Sequence, residues 1–478
     1  MNSLVQSVRR HLARRGIERA IRRMRDVNPA KLQALSEQRV LAAFQRTARL
    51  VPAYRRFLRE RGIRPVDVRS IENFKRLVPV IDKGVFAENE LRELCVGGNL
   101  DGISLFWSSS GHSGAFSYGI ETRRDARRTA KGVDFMMQNT FRALDRRTLL
   151  INCLPMGVKV PSRLIPLAET ALRADVVWAL VDKLRHDFEQ FVLIGEHLFL
   201  KKLIEEGMDQ GVPWKEITVH VLTGAEYVAE DYRSYLAGLL GIDLGRPETG
   251  TIRINFGLSE LCLTIFSEQE GTMAIRRRAL ADEVFREQLC GRRTEMCPNV
   301  MQYYPDNTFI ETIPGPDGNE LVVSLLDPRL KLPLIRYNTR DIVRLLPHQE
   351  MRDLLERNGM GGLSLPFKLP FGVAWGKQKY AEAPDGRRVT PEQVKEAIYA
   401  DAEVAGSVTG TFRLMKARND VCLAIQLRNS IAASAQLRQR LAAVLDRYVH
   451  APLCVDLHKY HDYPYDMELD YERKPRYV

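Results

Sequence analysis

The stretch ITVHVLTGAE, residues 217–226, leads a short apolar and β-branched run directly into a turn that contains Gly224 and Glu226. Similar apolar runs recur along the chain, separated by helical or irregular stretches: TLLINCL (148–154), ADVVWALV (174–181), TIRINFG (251–257) and ELVVSLL (320–326). Short strands that alternate with helices are typical of α/β proteins that contain a parallel sheet. The pattern therefore predicts an α/β fold in which all these runs are strands.

The composition is that of an ordinary globular protein. Hydrophobic residues make up 45% and charged residues 27% of the 478 positions, which is enough for a large core without disulfides. No apolar run approaches the roughly 18 residues of a membrane helix, and residues 1–16 lack the apolar region of a secretory signal. We therefore expect a cytoplasmic protein.

The cysteines indicate a reducing compartment. There are seven, at positions 95, 153, 262, 290, 297, 422 and 454, and no Cys-x-x-Cys pair occurs. Cys262, Cys290 and Cys297 lie in one region of the sequence, but no fourth ligand accompanies them. Structural zinc is therefore not expected.

The formal net charge of +11 is concentrated at the N-terminus. Residues 1–25 hold eight arginines and one glutamate, a charge of +7, so the remaining chain is nearly neutral. An apolar stripe that includes Leu12, Ile17 and Ile21 predicts an amphipathic helix there. A helix packed on the body is favoured over a surface that binds an anionic membrane or partner, and nucleic-acid binding is not expected.

The composition changes at residues 358–376, a stretch that is rich in Gly and Pro and poor in charge. We predict three parts: a basic N-terminal arm over residues 1–30, a large domain over 31–375 and a small domain over 376–478. The small domain is predicted to be α+β, with a helix, two strands, a helix and a strand in this order: PEQVKEAIYAD (391–401), VTGTFRLMKA (408–417), DVCLAIQLR (420–428), AASAQLRQRLAAVLDRYV (432–449) and PLCVDLHKY (452–460).

Three stretches of the large domain carry candidate chemistry. The loop 108–114, SSSGHSG, combines hydroxyls and glycines, and its backbone N–H groups can bind phosphate oxygens. In the turn at 222–226, Gly224 allows close approach of the backbone at a strand end, where α/β proteins bind ligands. The stretch 255–260, NFGLSE, offers an aromatic ring for stacking and a carboxylate for Mg²⁺.

Two further stretches complete the set. Asp341 in IRYNTRD (335–341) follows a strand-like run and can accept hydrogen bonds from ribose hydroxyls, and Lys474 lies in YERKPR (471–476). Each stretch also has a structural interpretation: a Ser/Gly loop, a strand-end turn, a strand-to-helix turn capped by Ser259, a salt-bridged strand end or a basic tail. Taken singly, the stretches leave both interpretations open.

The order of these stretches resembles the adenylate-forming superfamily of acyl-CoA synthetases, nonribosomal peptide synthetase adenylation domains and luciferases. More narrowly, VPAYRRFLRERGI (51–63), VPVIDKGVF (78–86) and ELVVSLLDPRLKLPLIRYNTRD (320–341) resemble its phenylacetate–CoA ligase-like branch. The resemblance covers residues 40–478. It implies a large N-terminal adenylate-forming domain with mixed sheets and helices, and a small mobile α+β C-terminal domain.

The resemblance also implies roles for individual residues around the phosphates of a bound ATP. The residues that would hold its β- and γ-phosphates are Ser108, Ser109, Ser110, Gly111, His112, Ser113 and Gly114. Ser259 would lie near the phosphates, and Glu260 would bind Mg²⁺. Lys474 would contact the substrate carboxylate and the α-phosphate, so Lys474 and Glu260 are the implied catalytic residues.

The resemblance also implies which residues bind the adenosine of ATP and which form the domain hinge. The residues that would line the adenine pocket are Gly224, Ala225, Glu226, Asn255, Phe256 and Gly257. Phe256 would stack on the base, and Asp341 would hold the ribose hydroxyls. The hinge would lie near residues 375–379, with Lys379 at the hinge position.

The implied activity is ATP-dependent activation of a carboxylic acid as an acyl-adenylate, with release of pyrophosphate, followed by transfer to a thiol, above all that of coenzyme A. An alternative keeps the adenylation but transfers the acyl group to a carrier protein, a protein cysteine or an amine, and the basic arm would then dock an acidic carrier. An alternative of another class is an inactive nucleotide-binding scaffold. Segments 152–158 and 194–197 are expected to form a pocket for an apolar acyl or aryl group. Relatives are often dimers, so a homodimer is a state to test.

Overall fold

The computed structural model describes residues 2–108, 117–155, 158–224, 226–258, 263–294, 296–377, 379–383, 385–416, 420–465, 471 and 476–478, with the backbone alone for residues 2–10 and 263. Its helices are α1 (Asn2–Arg25), α2 (Pro29–Leu50), α3 (Pro52–Glu60), α4 (Ile71–Leu77), α5 (Val85–Glu88), α6 (Arg123–Phe141), α7 (Ala174–Leu184), α8 (His197–Asp209), α9 (Glu230–Leu240), α10 (Glu270–Ala281), α11 (Glu283–Cys290), α12 (His348–Arg357), α13 (Pro391–Tyr399), α14 (Ala402–Ser407) and α15 (Ala435–Tyr448). Its strands are β1 (Ile103–Ser108), β2 (Tyr118–Thr122), β3 (Thr148–Asn152), β4 (Leu167–Glu169), β5 (Gln190–Glu196), β6 (Val219–Gly224), β7 (Gly250–Leu258), β8 (Leu263–Ser267), β9 (Asn299–Gln302), β10 (Thr308–Gly315), β11 (Gly318–Leu325), β12 (Tyr337–Leu346), β13 (Phe371–Gly376), β14 (Ala381–Glu382), β15 (Arg388–Val389), β16 (Val408–Lys416), β17 (Val421–Leu427) and β18 (Leu453–His458).

One large mixed sheet organises the molecule, in the strand order β10-β11-β12-β13-β9-β8-β7-β6-β5-β3-β4. The strands β4, β3, β5, β6 and β7 run parallel to one another, and the rest pair antiparallel. Every residue of β3 and β5 is buried, as expected of parallel strands that are covered on both faces. The predicted α/β fold is confirmed, and four of the predicted strands are β3, β6, β7 and β11.

One predicted strand is wrong, because ADVVWALV lies in α7. Val177 and Val181 are four residues apart on one face of this helix, and both are 0% exposed. The Trp178 indole N–H donates to the Leu203 carbonyl of α8 at 2.9 Å. An apolar run with β-branched residues suits a strand and a buried helix alike, and packing against α8 favours the helix here.

The strand-to-helix interpretation of NFGLSE is also wrong. β7 continues to Leu258, and the chain returns as the antiparallel strand β8, with Phe256 paired to Phe266. Asn255, Phe256 and Gly257 therefore lie within a strand rather than in a helical turn.

The basic N-terminal segment forms the predicted helix, α1. Ile21 is 9% exposed and packs in an apolar cluster with Leu32 and Phe367, and Ile17 packs beside it. Arg14 forms an ion pair with Asp145 at 2.5 Å. These contacts favour the helix packed on the body. None of the described helices is both long enough and apolar enough to cross a membrane.

β13 is the last strand of the large sheet in chain order, and it ends at Gly376. We call residues 377–478 the C-terminal part and the preceding residues the N-terminal part. The elements predicted beyond this point are confirmed as α13, β16, β17, α15 and β18. Val394 and Ile398 of α13 are 0% exposed and belong to the same apolar core as Leu200 and Leu236 of the N-terminal part. The two parts therefore share a continuous core in this arrangement.

Candidate functional site

The parallel strands bring several polar segments to one edge of the sheet. Asn152 at the end of β3 pairs with Ile194 of β5, and Glu196 at the end of β5 pairs with Gly224 at the end of β6. We call this the carboxyl edge, the ends of β3, β5, β6 and β7. Parallel strands end on the same side, and α/β proteins bind ligands there. The two segments expected to line an acid pocket, 152–158 and 194–197, thus start side by side.

Gly224 fixes the contact between the TGAE turn and β7. A Cβ atom on Gly224 would lie 2.2 Å from the Asn255 carbonyl oxygen, so no side chain fits there. The Asn255 amide lies 3.3 Å from Met136 Sδ, and the Phe256 ring lies 5.7 Å from the Phe266 ring. The structure therefore brings Gly224 and Asn255 into contact, with Phe256 and Gly257 next in the same strand.

The carboxylate of Glu226 collects contacts from both parts of the molecule. Its Oε1 accepts a hydrogen bond from the Tyr477 hydroxyl at 2.8 Å and lies 3.2 Å from the Lys395 ammonium. Tyr477 and Lys395 both belong to the C-terminal part, and the Glu226 side chain is only 15% exposed. Glu226 thus lies at the carboxyl edge and directly contacts the C-terminal part.

His197 lies beside this carboxylate. Its Nε2 is 3.4 Å from Glu226 Oε1, and its Nδ1 contacts Glu196 Oε1. The other oxygen of Glu196 accepts the backbone N–H groups of Leu198 and Phe199 and so caps α8. The His197 side chain is 1% exposed, and neither ring nitrogen has a well-aligned hydrogen bond to the described residues.

Glu196, His197 and Glu226 also satisfy a simple geometric condition for a metal site. Each offers one ligand atom, and these atoms lie within 4.8 Å of one another. However, the Lys395 ammonium already lies 3.2 Å from Glu226 Oε1, and like charges repel strongly in a buried site. A cation would have to displace Lys395, so the present arrangement is a network of ionisable side chains bridged by Lys395.

A second contact between the two parts involves Glu396. Its Oε1 lies 2.5 Å from the Tyr227 hydroxyl and its carboxylate lies 3.7 Å from Arg276, while the Tyr227 hydroxyl also lies 2.6 Å from the Cys297 carbonyl. Burial raises the pKa of Glu396 to about 7. A protonated Glu396 can donate to Tyr227, which then donates to Cys297, so the geometry suits the neutral acid.

A third contact joins α8 to β16. Lys201 is 0% exposed, and its ammonium donates to Glu205 Oε1 at 2.6 Å and to the Val408 carbonyl at 2.7 Å. Burial lowers the pKa of Lys201, although the Glu205 carboxylate opposes this shift. The interface between the parts therefore contains buried polar contacts as well as apolar packing.

Asp341 lies elsewhere in the large sheet. It is 5% exposed on β12, and β13, β9 and β8 separate that strand from β7. Its neighbour Ile342 pairs with Gly376 at the end of β13, which leads to Lys379 on the surface. Asp341 therefore lies close to the predicted hinge residues, and the sheet does not pair it with the TGAE turn.

The rest of IRYNTRD fastens β12 to its surroundings. Arg336 is 5% exposed and forms an ion pair with Glu311 at 2.8 Å, and it also donates to the Lys75 carbonyl at 2.7 Å. The Asn338 amide donates to Glu320 Oε2 at 2.5 Å. These side chains anchor the strand that carries Asp341.

The phosphate-loop candidate follows a β-hairpin strand. Ser108 is exposed at the end of β1 and pairs with Tyr118 of β2. A Cβ atom on Gly119 would lie 1.8 Å from the Trp107 indole nitrogen, so the indole covers the backbone at this glycine. The remaining predicted site residues lie outside the described residues: Ser109, Ser110, Gly111, His112, Ser113, Gly114, Ala225, Ser259, Glu260 and Lys474.

Sequence reasoning missed most of the Glu226 contacts. Glu196 and His197 follow the buried strand β5 directly, and the rule that points to strand ends identifies this pair as candidates. Lys395 lies in a helix whose residues are all buried, and Tyr477 is 251 residues from Glu226 in sequence. No local pattern marks either residue as a partner of Glu226.

Comparison by sequence finds no matching protein-family model and no matching curated protein. Comparison by structure finds 2-hydroxyisobutyryl-CoA ligase in the postadenylation state, in complex with R3-HIB-AMP, with a TM-score of 0.69 at 15% identity over 95% of this chain and 91% of that chain. The same ligase in complex with 2-HIB-AMP and CoA, in the thioesterification state, has a TM-score of 0.56 at 14% identity over 91% and 88% of the two chains. At this identity the likeness establishes a shared fold.

Proposed function

We propose that this chain, which has the fold of adenylate-forming CoA ligases, activates a carboxylic acid with ATP and transfers the acyl group to coenzyme A. One observation carries the proposal. The TGAE turn packs its glycine on Asn255 of NFGLSE at the carboxyl edge of a sheet with this fold. Motifs that are 31 positions apart in sequence, Gly224 and Asn255, thus meet where α/β proteins bind ligands.

In the first half-reaction a carboxylate oxygen attacks the α-phosphorus of ATP. The bond from the α-phosphorus to the bridging oxygen breaks, and pyrophosphate leaves with the electron pair. The carboxylate is already ionised at pH 7, so no general base is needed. Nucleophile and electrophile are both anionic, and we propose that the Lys474 ammonium neutralises the charge that develops between them. Mg²⁺ on Glu260 would neutralise phosphate charge in the same way.

We assign the nucleotide to the residues that the resemblance indicates. Phe256 would stack on adenine with Asn255 and Gly257 beside it, Asp341 would hold the ribose, and the 108–114 loop would hold the phosphates. The Glu226 carboxylate contacts Tyr477 and Lys395. We therefore propose that the backbone of residues 224–226, rather than this carboxylate, lines the adenine pocket.

In the second half-reaction the thiol sulfur attacks the acyl carbon of the adenylate, and AMP leaves. We propose that the C-terminal part, residues 377–478, moves about a hinge near Lys379 to admit the thiol. The TM-score is higher against the postadenylation structure, at 0.69, than against the thioesterification structure, at 0.56. This difference supports the view that the arrangement described here serves the first half-reaction.

The residues next to the carboxyl edge favour an apolar acid. Cys153 is 0% exposed directly after β3, and burial raises the pKa of its thiol to about 12. It therefore stays protonated and behaves as a small apolar side chain. Ile194 and Leu222 lie on the neighbouring strands and are 4% and 7% exposed. We propose an aryl or alkyl carboxylic acid as the substrate class.

A carrier-protein acceptor is the second candidate, and the surface of α1 favours it. Arg15, Arg19, Arg22 and Arg23 are exposed on this packed helix, and acyl carrier proteins are acidic partners of the kind that such a surface attracts. Reversing these four charges to glutamate would raise KM for the carrier and leave adenylation unchanged. Equal KM values would dismiss this acceptor.

The test of the proposed function is acid-dependent ATP–pyrophosphate exchange with Mg²⁺ over a panel of aryl, fatty and amino acids. We expect exchange with one class of acid. Lys474→Ala should lower the exchange rate on the order of 10²–10³-fold, as is typical when a group that stabilises developing charge is removed. Lys459→Ala, at an exposed lysine of the C-terminal part, is the matched control and should keep the rate. ATP binding without exchange for any acid would favour the inactive scaffold.

A further inference from the structure

Tyr477 connects the end of the chain to the carboxyl edge. Its carbonyl accepts the Leu414 N–H of β16 at 2.7 Å, and its ring lies 4.6 Å from the Phe412 ring of the same strand. The backbone and ring of Tyr477 are thus held by the C-terminal part. Its hydroxyl donates to Glu226 of the N-terminal part at 2.8 Å. The side chain is 8% exposed and spans the interface.

Lys395 strengthens the same contact from α13. Its ammonium lies 3.2 Å from Glu226 Oε1, donates to the Tyr227 carbonyl at 3.1 Å and lies 4.2 Å from the centroid of the Tyr477 ring. A cation over an aromatic face is attracted to it, and a carboxylate that binds a phenol and an ammonium makes charge-assisted contacts. Glu226 therefore joins two residues of the C-terminal part at a single oxygen atom.

Tyr471 fastens the other side of the same tail. Its ring lies edge-on, 5.6 Å from the Phe199 ring of α8, and the Lys202 ammonium lies 5.5 Å from its centroid. Lys474 is three residues from Tyr471 and three from Tyr477 in sequence. Tyr471 and Tyr477 both contact the N-terminal part.

We propose that Tyr477 and Lys395 are positioning residues for adenylation, because they bind Glu226 at the carboxyl edge and so dock the C-terminal part there. This inference rests on the proposed function. Movement of the C-terminal part for thioester formation has to break both contacts to Glu226. The Tyr477 hydroxyl therefore contributes to the first half-reaction and not to the second.

The test is Tyr477→Phe, which removes the hydroxyl and keeps the ring. We expect the rate of ATP–pyrophosphate exchange to fall about tenfold, the effect of losing one hydrogen bond to a charged group. Thioester formation from a synthetic acyl-adenylate and coenzyme A should keep its wild-type rate. Tyr463→Phe is the matched control, at a buried tyrosine whose hydroxyl has no hydrogen-bond partner in the part of the chain that the structure describes. It should leave both rates unchanged.

A double-mutant cycle identifies the partner of the hydroxyl. The double variant carries Glu226→Gln and Tyr477→Phe together. If Tyr477 acts through Glu226, the fold-loss of exchange activity in the double variant is much smaller than the product of the fold-losses in the two single variants. Losses that simply multiply would show that Tyr477 acts elsewhere. An equal fall of both half-reactions in Tyr477→Phe would indicate a general structural role and overturn the inference.

Hydrogen–deuterium exchange of the Leu414 amide measures how firmly Tyr477 is held, independently of activity. Its bond to the Tyr477 carbonyl should loosen in Tyr477→Phe and not in Tyr463→Phe. If wild type shows no acid-dependent pyrophosphate exchange, the proposed function fails, and a faster Leu414 amide in Tyr477→Phe would still support the contact. Equal Leu414 exchange in wild type and Tyr477→Phe would overturn it.

Discussion

Two buried clusters of ionisable groups differ in how their members are paired, and we name them for glutamates four residues apart in the chain, Glu226 and Glu230. The Glu230 cluster comprises Glu230, Arg233, Glu268, Arg276 and Arg277. The Glu226 cluster comprises Glu196, His197, Glu226, Lys395 and Tyr477. The members of the first cluster all lie in the N-terminal part, where Arg276 also lies 3.7 Å from Glu396 of the C-terminal part. The second cluster has members in both parts.

The Glu230 cluster is centred on one well-satisfied guanidinium. All three nitrogens of Arg233 donate, to Glu230 at 3.0 and 3.1 Å, to Glu268 at 2.8 and 3.2 Å, and to the Ile252 carbonyl. Arg233 and Glu268 are fully buried. Such planar, bidentate pairing fixes β7 and α9 relative to the β8–α10 connection.

In the Glu226 cluster the contacts converge on a carboxylate oxygen instead. Tyr477, Lys395 and His197 all approach the same oxygen of Glu226, and the two His197 nitrogens have no well-aligned hydrogen bond to described residues. The comparison teaches that the complete pairing of Arg233, with partners in one part of the molecule, suits a role in stabilising the fold. We expect the contacts of Glu226, which cross between the two parts, to open during the proposed reaction.

Breaking the Glu230 cluster should give the largest effect on stability. Arg233→Met leaves two carboxylates buried without their main partner, which costs about 3–5 kcal/mol. Urea unfolding measures the loss, and Arg246→Met, at an exposed ion pair, is the matched control with less than about 1 kcal/mol. Adding Glu230→Gln and Glu268→Gln should restore part of the stability. A loss below about 1 kcal/mol in Arg233→Met would contradict the structural role.

Glu396 contacts Arg276 of the Glu230 cluster and should make stability depend on pH. Its pKa is raised by burial from 4.5 to about 7. Between these two pKa values the folded state keeps a proton that the unfolded state has released. The contribution of Glu396 to the free energy of unfolding is therefore full below about pH 4.5 and is lost as the pH rises through 7. Glu396→Gln cannot ionise. The free energy of unfolding of this variant, relative to that of wild type, should therefore rise on the order of 3 kcal/mol as the pH is raised from 5 to 8.

Urea unfolding at these two pH values measures the gain. Glu382→Gln, at an exposed glutamate of the C-terminal part, is the control and should show no pH-dependent difference from wild type. A Glu396→Gln variant whose stability differs from wild type by the same amount at both pH values would mean that the folded protein does not hold this proton.

Breaking the Glu226 cluster should have the smallest effect on stability and a selective effect on activity. In Lys395→Met, Glu226 keeps its hydrogen bond from Tyr477, so the expected loss is about 1–2 kcal/mol. Pyrophosphate exchange should fall while thioester formation from a supplied acyl-adenylate remains. A loss of stability in Lys395→Met as large as that in Arg233→Met would contradict the proposed difference between the two clusters.

The sequence patterns predicted three of the five parallel strands, β3, β6 and β7, and the elements of the C-terminal part. Burial on both faces and alternation of apolar and polar residues each leave a local pattern in the sequence. ADVVWALV was read wrongly because an apolar run of eight residues does not distinguish a buried helix from a strand. NFGLSE was read as a possible helix start, yet pairing with β8 continues the strand to Leu258. In both places the deciding contact comes from another element, α8 for ADVVWALV and β8 for NFGLSE.

The candidate site was predictable to a different degree. Gly224 and Asn255 could be placed together because parallel strands end on one edge. The roles of Asp341, Glu260 and Lys474 came from the resemblance and stay predictions. Lys395 and Tyr477 could not be predicted, since they reach Glu226 only when the C-terminal part docks on the N-terminal part.

The most direct test of the central claim follows oxygen from the acid into AMP. The acid that supports pyrophosphate exchange is supplied with ¹⁸O in its carboxylate, together with ATP, Mg²⁺ and coenzyme A, and the products are analysed by mass spectrometry. If the carboxylate attacks the α-phosphorus, each turnover places one ¹⁸O atom in AMP and leaves the other in the thioester. Label in inorganic phosphate, or AMP without label, would contradict the account.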